Sequence, residues 1–434
     1  MIFPPHLRSW RTFGSRFESF VVNFFSVNYH GKISPFCDIF KAVEHLNKAL
    51  IILILFFSCA QIPQTADKAE EVRGNEGTSP RTEDPPHESY LTIIAAGDNL
   101  FHHVMIRDGE DGEYELIYQE ILSLVEPADI AFINQETLLR GEDFGFSGYP
   151  RFNSPQNLGR AITAAGFDVI NHANNHVMDK GEKAILATLD FWDTLPQKSI
   201  LGIHRSEEKR KLPVLIEKNN FTIGFLAYSY GTNWIPIPSD KKYMVSLADT
   251  EIMEKEIDAL RPLCDFLVVS MHWGEEYSHS YSKEQEELAD FLAEHQVDLV
   301  LGHHPHVLQP VEYIMRPDGR FMLCYYSLGN LISAQTQNPT LLGALAYIRI
   351  KKITYSGEGK DSFILFMDAG AIPVVSHYET GFTSFMIYPL YSYTEELLEK
   401  HWVNRVKKEL SLNYFTDLAE KILGGKKINR NPFE

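Results

Sequence analysis

Seven short apolar runs, each breaking off into a cluster of polar side chains, recur through the middle of this 434-residue chain and limit what it can fold into. They are LTIIAAGDN (91–99), ADIAFINQE (128–136), FDVINHANNH (167–176), FTIGFLAYS (221–229), DFLVVSMHWG (265–274), VDLVLGHHPH (297–306) and FMLCYYSLGN (321–330). Most are continuous rather than alternating, and a strand that is apolar on both sides needs both faces covered. Helical patterns lie between several of them, among them EKAILATLDFWDTL after Asp179 and KEQEELADFLAEH before Val297. Asp179 and Glu182 have the spacing of a capping box, which predicts Asp179 as the N-cap of the first of these helices. Strands alternating with helices predict an α/β fold with a covered sheet.

The polar residues of interest stand just after the strands: Asp98, Glu136, the trio Asn174, Asn175 and His176, then His272, and finally His303, His304 and His306. In open α/β sheets the carboxyl ends of strands border the crevice where ligands bind, so these loops are expected to face one another. A lone histidine near a strand end is usually structural. Five strand-end loops that each deliver a carboxylate, an amide or an imidazole point instead to a site. Imidazole mixed with carboxylate suits Mn, Fe or Zn, whereas calcium takes oxygen alone and a structural zinc usually recruits thiolates. His304 and His306 are alternate residues able to approach one side of their loop, with Pro305 restricting the backbone between them. Arg107, Arg140 and Arg151 are candidates for anion contacts but read as solvated surface charges.

The formal charge of −18 speaks against nucleic acid as a partner, because non-specific binding there relies on basic side chains displacing counterions from phosphates. An apolar share of 44% and a charged share of 23% are those of an ordinary globular protein. Residues 1–59 read as an N-terminal extension ending in the apolar stretch 49–57, preceded by Lys41 and Lys48 and followed by Ser58 and Cys59. That stretch is too short to span a bilayer but fits a secretory signal, and Cys59 resembles the acylated cysteine of a bacterial lipobox. Its depth in the chain suggests that translation starts later than Met1. Residues 60–89 are polar and Pro-containing, the composition of a disordered linker, here a tether between a lipid anchor and a folded domain. The folded domain is expected over 90–390 and a helical segment over 391–434. Cys264 and Cys324 read as buried thiols rather than a disulfide.

Six motifs in order, GDNLFHH, INQET, NHANNHVMDKG, HWGEEY, VLGHHPHVLQ and YSLGN, resemble the motif series of the CapA family, associated with bacterial poly-γ-glutamate capsule synthesis. That family is similar to calcineurin-like metallophosphoesterases. The resemblance therefore implies a layered α/β sandwich with two central sheets around one or two divalent metal ions. It implies that Asp98, Glu136, Asn175, His272, His304 and His306 hold the metal, with Glu136 in the bridging place and His176 beside the substrate as acid/base or anion-stabilising group. Asn174, Glu276 and Asn330 fall in the same motifs. Glu276 is expected either to orient His272 or to touch substrate, and Asn330 either to hold its loop or to contact a ligand. Two positions depart from the phosphoesterase pattern: Leu100 stands where a histidine is usual, with His102 and His103 one turn further on, and Glu136 is preceded by Asn134 in place of the usual Asp motif.

Three functions follow as expectations. The first is an exported, lipid-anchored protein acting by metal-assisted hydrolysis or transfer on a cell-envelope polymer or a phosphate-containing precursor. The second is a non-catalytic scaffold that joins membrane synthase subunits in polymer synthesis or export. The third, if 49–57 is no signal, is an intracellular metal-dependent phosphodiesterase.

Overall fold

The computed structural model describes residues 85–109, 114–195, 198–355 and 362–434. The apolar stretch 49–57, Cys59 and most of the expected linker lie outside the described residues. The chain first lays down β1 (His87–Asn99), β2 (Ile130–Gln135), β3 (Val169–Asn171) and β4 (Ser199–Leu201). It continues with β5 (Val214–Lys218), β6 (Phe221–Ser229), β7 (Phe266–His272), β8 (Leu299–His303), β9 (Val311–Met315) and β10 (Phe321–Tyr325). It then returns through β11 (Asn330–Ile332), β12 (Leu342–Thr354), β13 (Ser362–Glu379) and β14 (Thr383–Pro389). Among the described residues these form an eight-stranded sheet in the order β14-β13-β12-β1-β2-β3-β4, with β11 beside β1, and a six-stranded sheet β5-β6-β7-β8-β10-β9.

The two sheets face each other, which is why the strand sequences are apolar throughout. In the smaller sheet Val268, Leu299, Leu301, Leu323 and Tyr325 turn into the core shared with the larger sheet. Their chain neighbours Leu267, Val269, Val300, Met322 and Cys324 turn the other way, beneath a layer of helices. Successive side chains on a strand point to opposite faces, so a sheet buried on both faces needs an apolar residue at every position. Helices α1 (Gln156–Ala164) and α2 (Glu182–Trp192) connect the parallel strands β2, β3 and β4. They bury Leu158, Ile162, Phe191 and Trp192 in the shared core. Helices α3 (Thr250–Leu260) and α4 (Lys283–Glu294) cover the outer face of the smaller sheet with Met253, Ile257, Leu292 and Ala293. Ser282 and Gln285 form a capping box at the start of α4, which satisfies two backbone donors that would otherwise be lost at that end.

Three features differ from expectation. Asp179 does not cap α2: the N-cap is Gly181, with φ 69°, and no side chain caps that end. Gly181 can take this left-handed backbone without penalty, and Asp179, two residues earlier, is free to turn inward. β1 begins at His87, ahead of the expected boundary at 90. The long antiparallel run β12–β14 had no counterpart in the sequence reading. It widens the larger sheet, and the helices of 391–434 pack onto the same core through Leu398, Val403, Phe415, Ala419 and Leu423; the last three belong to α5 (Leu412–Leu423). Among the described residues no helix is long and apolar enough to cross a membrane.

Candidate metal centre

Strand register assembles the site. In the larger sheet Asp98 at the end of β1 stands opposite Asn134 on β2, which stands opposite Asn171 on β3, while on the other side Asp98 pairs with Asn330 on β11. In the smaller sheet Ser229, His272 and His303 are aligned at the ends of β6, β7 and β8. Parallel strands end together, so their terminal residues and the loops after them form one rim.

Close backbone contact makes this rim rigid. A side chain at Gly97 would drive into the carbonyl of Gly329, and the Asp98 amide donates to that carbonyl at 2.9 Å. His304 (φ 96°) and His306 (φ 58°) both lie in the left-handed region, which costs a non-glycine residue about 1 kcal/mol or more. In return the His304 amide is aimed at the Asp98 carboxylate, 3.2 Å from Oδ2.

Asp98 is fully buried and well supplied with partners. Asn134 Nδ2 donates to it at 2.8 Å and His306 Nδ1 lies 3.1 Å from Oδ2. Burial alone would raise its pKa, but the hydrogen bond from His306, the charges of His306 and His303 and the Asn134 amide together hold it below the usual carboxylate value. Glu136 is the opposite case. It too is fully buried, yet neither carboxylate oxygen has a hydrogen-bond partner. His272 Nε2 and His306 Nε2 stand 3.7 and 3.8 Å from Oε1. Burial, with Asp98 and Glu276 nearby, pushes the Glu136 carboxyl well above its ordinary value, and His306 only partly offsets this. His306 is raised to about 9: burial works against its charged form, but Glu136, the hydrogen bond to Asp98 and the charges of Asp98 and Glu276 outweigh it. Burial and neighbouring imidazoles lower His304 to about 3 and His272 well below its ordinary value. Neutral imidazole is the form that binds a metal.

The residues fit a divalent metal. Glu136, His272 and His304 place one ligand atom each within 4.8 Å of one another, as do Asp98, Glu136 and His306, and again Glu276, His304 and His306. Glu136 belongs to two of these groups, the place of a bridging carboxylate. Besides both oxygens of Glu136, Nδ1 of His304 and Nδ1 of His272 are buried without partners. Buried polar atoms are normally paired, and so many orphans in one cluster form a cradle suited to a cation.

The remaining expected residues divide by role. Asn175 Oδ1 lies 3.1 Å from His272 Nε2, within the cluster. Asn174 turns away, donating to the Gln135 carbonyl and accepting from the His176 amide, and so shapes the loop. Asn330 accepts from His306 Nδ1 at 3.1 Å and donates to Ser333, Gln335 and the Thr340 carbonyl, which holds both its own loop and the His306 ring. Glu276 is grouped with His304 and His306. His176 stands to one side with Nδ1 2.8 Å from Asp179 Oδ2, and the same oxygen accepts the Phe152 amide at 2.7 Å. Sequence reasoning assigned Asp179 to a helix cap. The usable signal was its position three residues after His176 in a loop rather than a helix. Tyr230, directly after β6, was also missed; its ring is 4.7 Å from that of His304 and stacks on His272 at 6.3 Å.

Residues 92–335 match the family model described as bacterial capsule synthesis protein PGA_cap. The chain belongs to this family. Two similar relatives are PGA biosynthesis protein CapA of Bacillus subtilis (strain 168), 32% identical over 202 residues, and Capsule biosynthesis protein CapA of Bacillus anthracis, 29% identical over 201 residues. The matches cover 46% and 44% of this chain and 51% and 46% of those relatives. The chain thus spans about half the length of the curated relatives it matches. Among solved structures, a 5'-nucleotidase precursor from Thermus thermophilus overlays with TM-score 0.35 at 14% identity, over 64% of this chain and 54% of that one. A putative 5'-nucleotidase from Staphylococcus aureus gives 0.36 at 12% identity, over 74% and 58%. The PGA_cap match runs from β1 to just beyond β11, so Asp98, Glu136, His272, Glu276, His304 and His306 all fall inside it.

Proposed function

We propose that this PGA_cap protein is an exported, lipid-anchored metal-dependent hydrolase or transferase that acts in cell-envelope or capsule polymer synthesis, on an anionic polymer or a phosphate-containing precursor. The observation that carries the metal chemistry is Glu136: a buried carboxylate with no hydrogen-bond partner, held between His272 and His306. Such a group is costly unless a cation accompanies it. Asp98, Glu136, Asn175, His272, His304 and His306 would hold one or two ions of Mn, Fe or Zn. Divalent ions there supply Lewis acidity and an acidified water. The chain's own groups do the rest. Asp179 fixes the tautomer and orientation of His176 through Nδ1, which leaves Nε2 to give a proton to the leaving group or take one from the attacking water. Asn330 and the Asp98 carboxylate hold the His306 ring in place. Tyr230 covers His304 and limits access of water. The lipid anchor at Cys59 and the link to membrane synthase subunits are part of the same reading, supported by the sequence of residues 49–59 and by the capsule synthesis family.

Elemental analysis of the purified protein beside a His304→Ala, His306→Ala double variant tests the metal. About one or two transition-metal ions per chain are expected, lost in the double variant while its circular dichroism is unchanged. No metal after reconstitution with Mn, Fe and Zn salts would overturn the hydrolase reading and bring forward the scaffold. Mass spectrometry of the protein from its own cells checks the anchor: an unacylated Cys59 in a soluble protein would sink it.

A further inference from the structure

Next to the cluster, on the His176 side, runs an open groove of about 720 Å³ whose lining includes His102, His103, Tyr149, Arg151, Lys180 and Phe382. Among the described residues that line it there is no carboxylate, in a chain of formal charge −18. Arg151 and Lys180 have no ion-pair or side-chain hydrogen-bond partner among the described residues. Several other cations among the described residues are neutralised, as Arg205 is by Asp190 and Asp193, Arg261 by Asp298 and Lys241 by Glu182. His102 also lines the groove, while its Nε2 is buried without a hydrogen-bond partner.

The groove is built into the site. Arg151 and Lys180 each stand one residue from the contact in which Asp179 Oδ2 accepts the Phe152 amide, and that oxygen also holds His176 Nδ1. The Phe152 ring lies 4.6 Å from His176 and 5.4 Å from His102. The rim is ordered by reciprocal backbone bonds between Ser147 and Asn153, at 3.1 and 2.9 Å, and by the Ser147 hydroxyl donating to the Arg151 carbonyl at 2.7 Å. A side chain at Gly148 would crowd the His103 amide, so the rim also rests on the wall opposite. This frame fixes the backbone from which both cations project into the groove. They also reverse the field that the net charge imposes elsewhere on the surface.

We propose that this groove is a second anion subsite: it takes the anionic group one unit along from the reacting one, so that the protein selects linear polyanions over single anions. Arg151 and Lys180 contact that group. The inference rests on the proposed function for the position of the reacting group. The shared chemistry is a row of anions, whether phosphates or carboxylates.

The test is equilibrium binding to the metal-loaded full-length protein, wild type beside Arg151→Gln, Lys180→Gln, with metal content assayed before and after. Three probes are used: orthophosphate as the single anion, tripolyphosphate as linked phosphates, and penta-γ-glutamate as linked carboxylates. We expect at least one linked probe to outbind orthophosphate, and that ratio to fall at least tenfold in the double variant, as loss of a charge-assisted contact implies. Arg151→Lys, Lys180→Arg should retain most of it, which separates charge from folding. Loss of the ratio for tripolyphosphate alone assigns phosphates, for penta-γ-glutamate alone carboxylates, and for both a polyanion of either kind. An unchanged ratio in the double variant, or no linked probe bound more tightly than orthophosphate, overturns the subsite. If the protein takes up no metal but the ratio still depends on Arg151 and Lys180, the proposed function fails and the subsite stands.

Discussion

Glu136 and Asp98 are chemically alike and equally buried, and their surroundings separate them. Asp98 receives an amide from Asn134, the backbone of His304 and the ring of His306, whereas Glu136 receives no hydrogen bond at all. A carboxylate with several partners cannot be removed cheaply, since each partner is then left unsatisfied. Glu136→Gln should therefore leave the stability of the metal-free protein within about 1 kcal/mol of wild type, because no hydrogen bond is lost. The same variant should lose the stabilisation that added metal gives, about 2.7 kcal/mol at a hundredfold excess over Kd. Urea unfolding with and without Mn or Zn reads both quantities. A drop of several kcal/mol without metal would show that Glu136 has partners after all. At this scale the sequence located most of the cluster, because Asp98, Glu136, His272, His304 and His306 each follow an apolar strand. It misplaced Asp179. Capping depends on which residue starts the helix, and the left-handed Gly181 moved that start two positions on.

At the scale of elements, the loops at the strand ends are held by contact too close for side chains. β1 reaches the rim beside the Gly329 turn, and a methyl group on Gly97 would force the two backbones apart. Gly97→Ala should cost about 2 kcal/mol or more and loosen Asp98, so bound metal should fall along with stability. Gly425→Ala is the matching control: its added methyl meets nothing within 4 Å, and its effect should stay within about 0.5 kcal/mol. Chemical denaturation of both variants, with metal analysis, checks the pair; equal effects would contradict the close-packing account. The seven apolar runs all became strands, since continuous burial demands continuous apolar sequence. β12–β14 were not legible in the same way. The outer end of β12 mixes charged with apolar residues, as in Arg349, Lys351 and Lys352, and its length is set by pairing with β1 rather than by a local pattern, while β13 pairs in turn with β12 and β14 with β13.

The whole molecule carries an acid sensitivity that lies outside the candidate metal cluster. His204, His377 and His401 are held neutral by burial, with pKa values of about 3, 3 and 4; the charge of Arg210 adds to the effect at His204, and those of His401 and Lys400 at His377. His377 Nδ1 meets the Tyr393 hydroxyl at 2.7 Å, and His401 accepts the Val403 amide through Nδ1 while Nε2 donates to the Ser376 carbonyl, so the pair ties the C-terminal segment to β13. The folded pKa lies below the value of about 6.5 in an unfolded chain, so between the two the unfolded state binds more protons. Their contribution is therefore complete above about pH 6.5 and is lost as pH falls toward 4, at roughly 1.4 kcal/mol per pH unit for each histidine. Urea unfolding of the metal-free protein at pH 7.5, 6 and 5 should show this decline, and His377→Gln should reduce its slope by about one proton. A slope that His377→Gln leaves unchanged would contradict the assignment.

The sequence by itself determined an α/β class with covered sheets and the side of the sheet on which the polar cluster sits. Burial on both faces and the carboxyl-end rule act through local pattern, and local pattern is written in the chain. It also determined most of the side chains that meet at the cluster. Only the tertiary structure decided that Glu136 is orphaned while Asp98 is not, that Asp179 serves His176, and that Arg151 and Lys180 share a groove free of carboxylates. Each of these depends on distances between segments far apart in the chain, set by strand register and backbone contact, and no local periodicity encodes them.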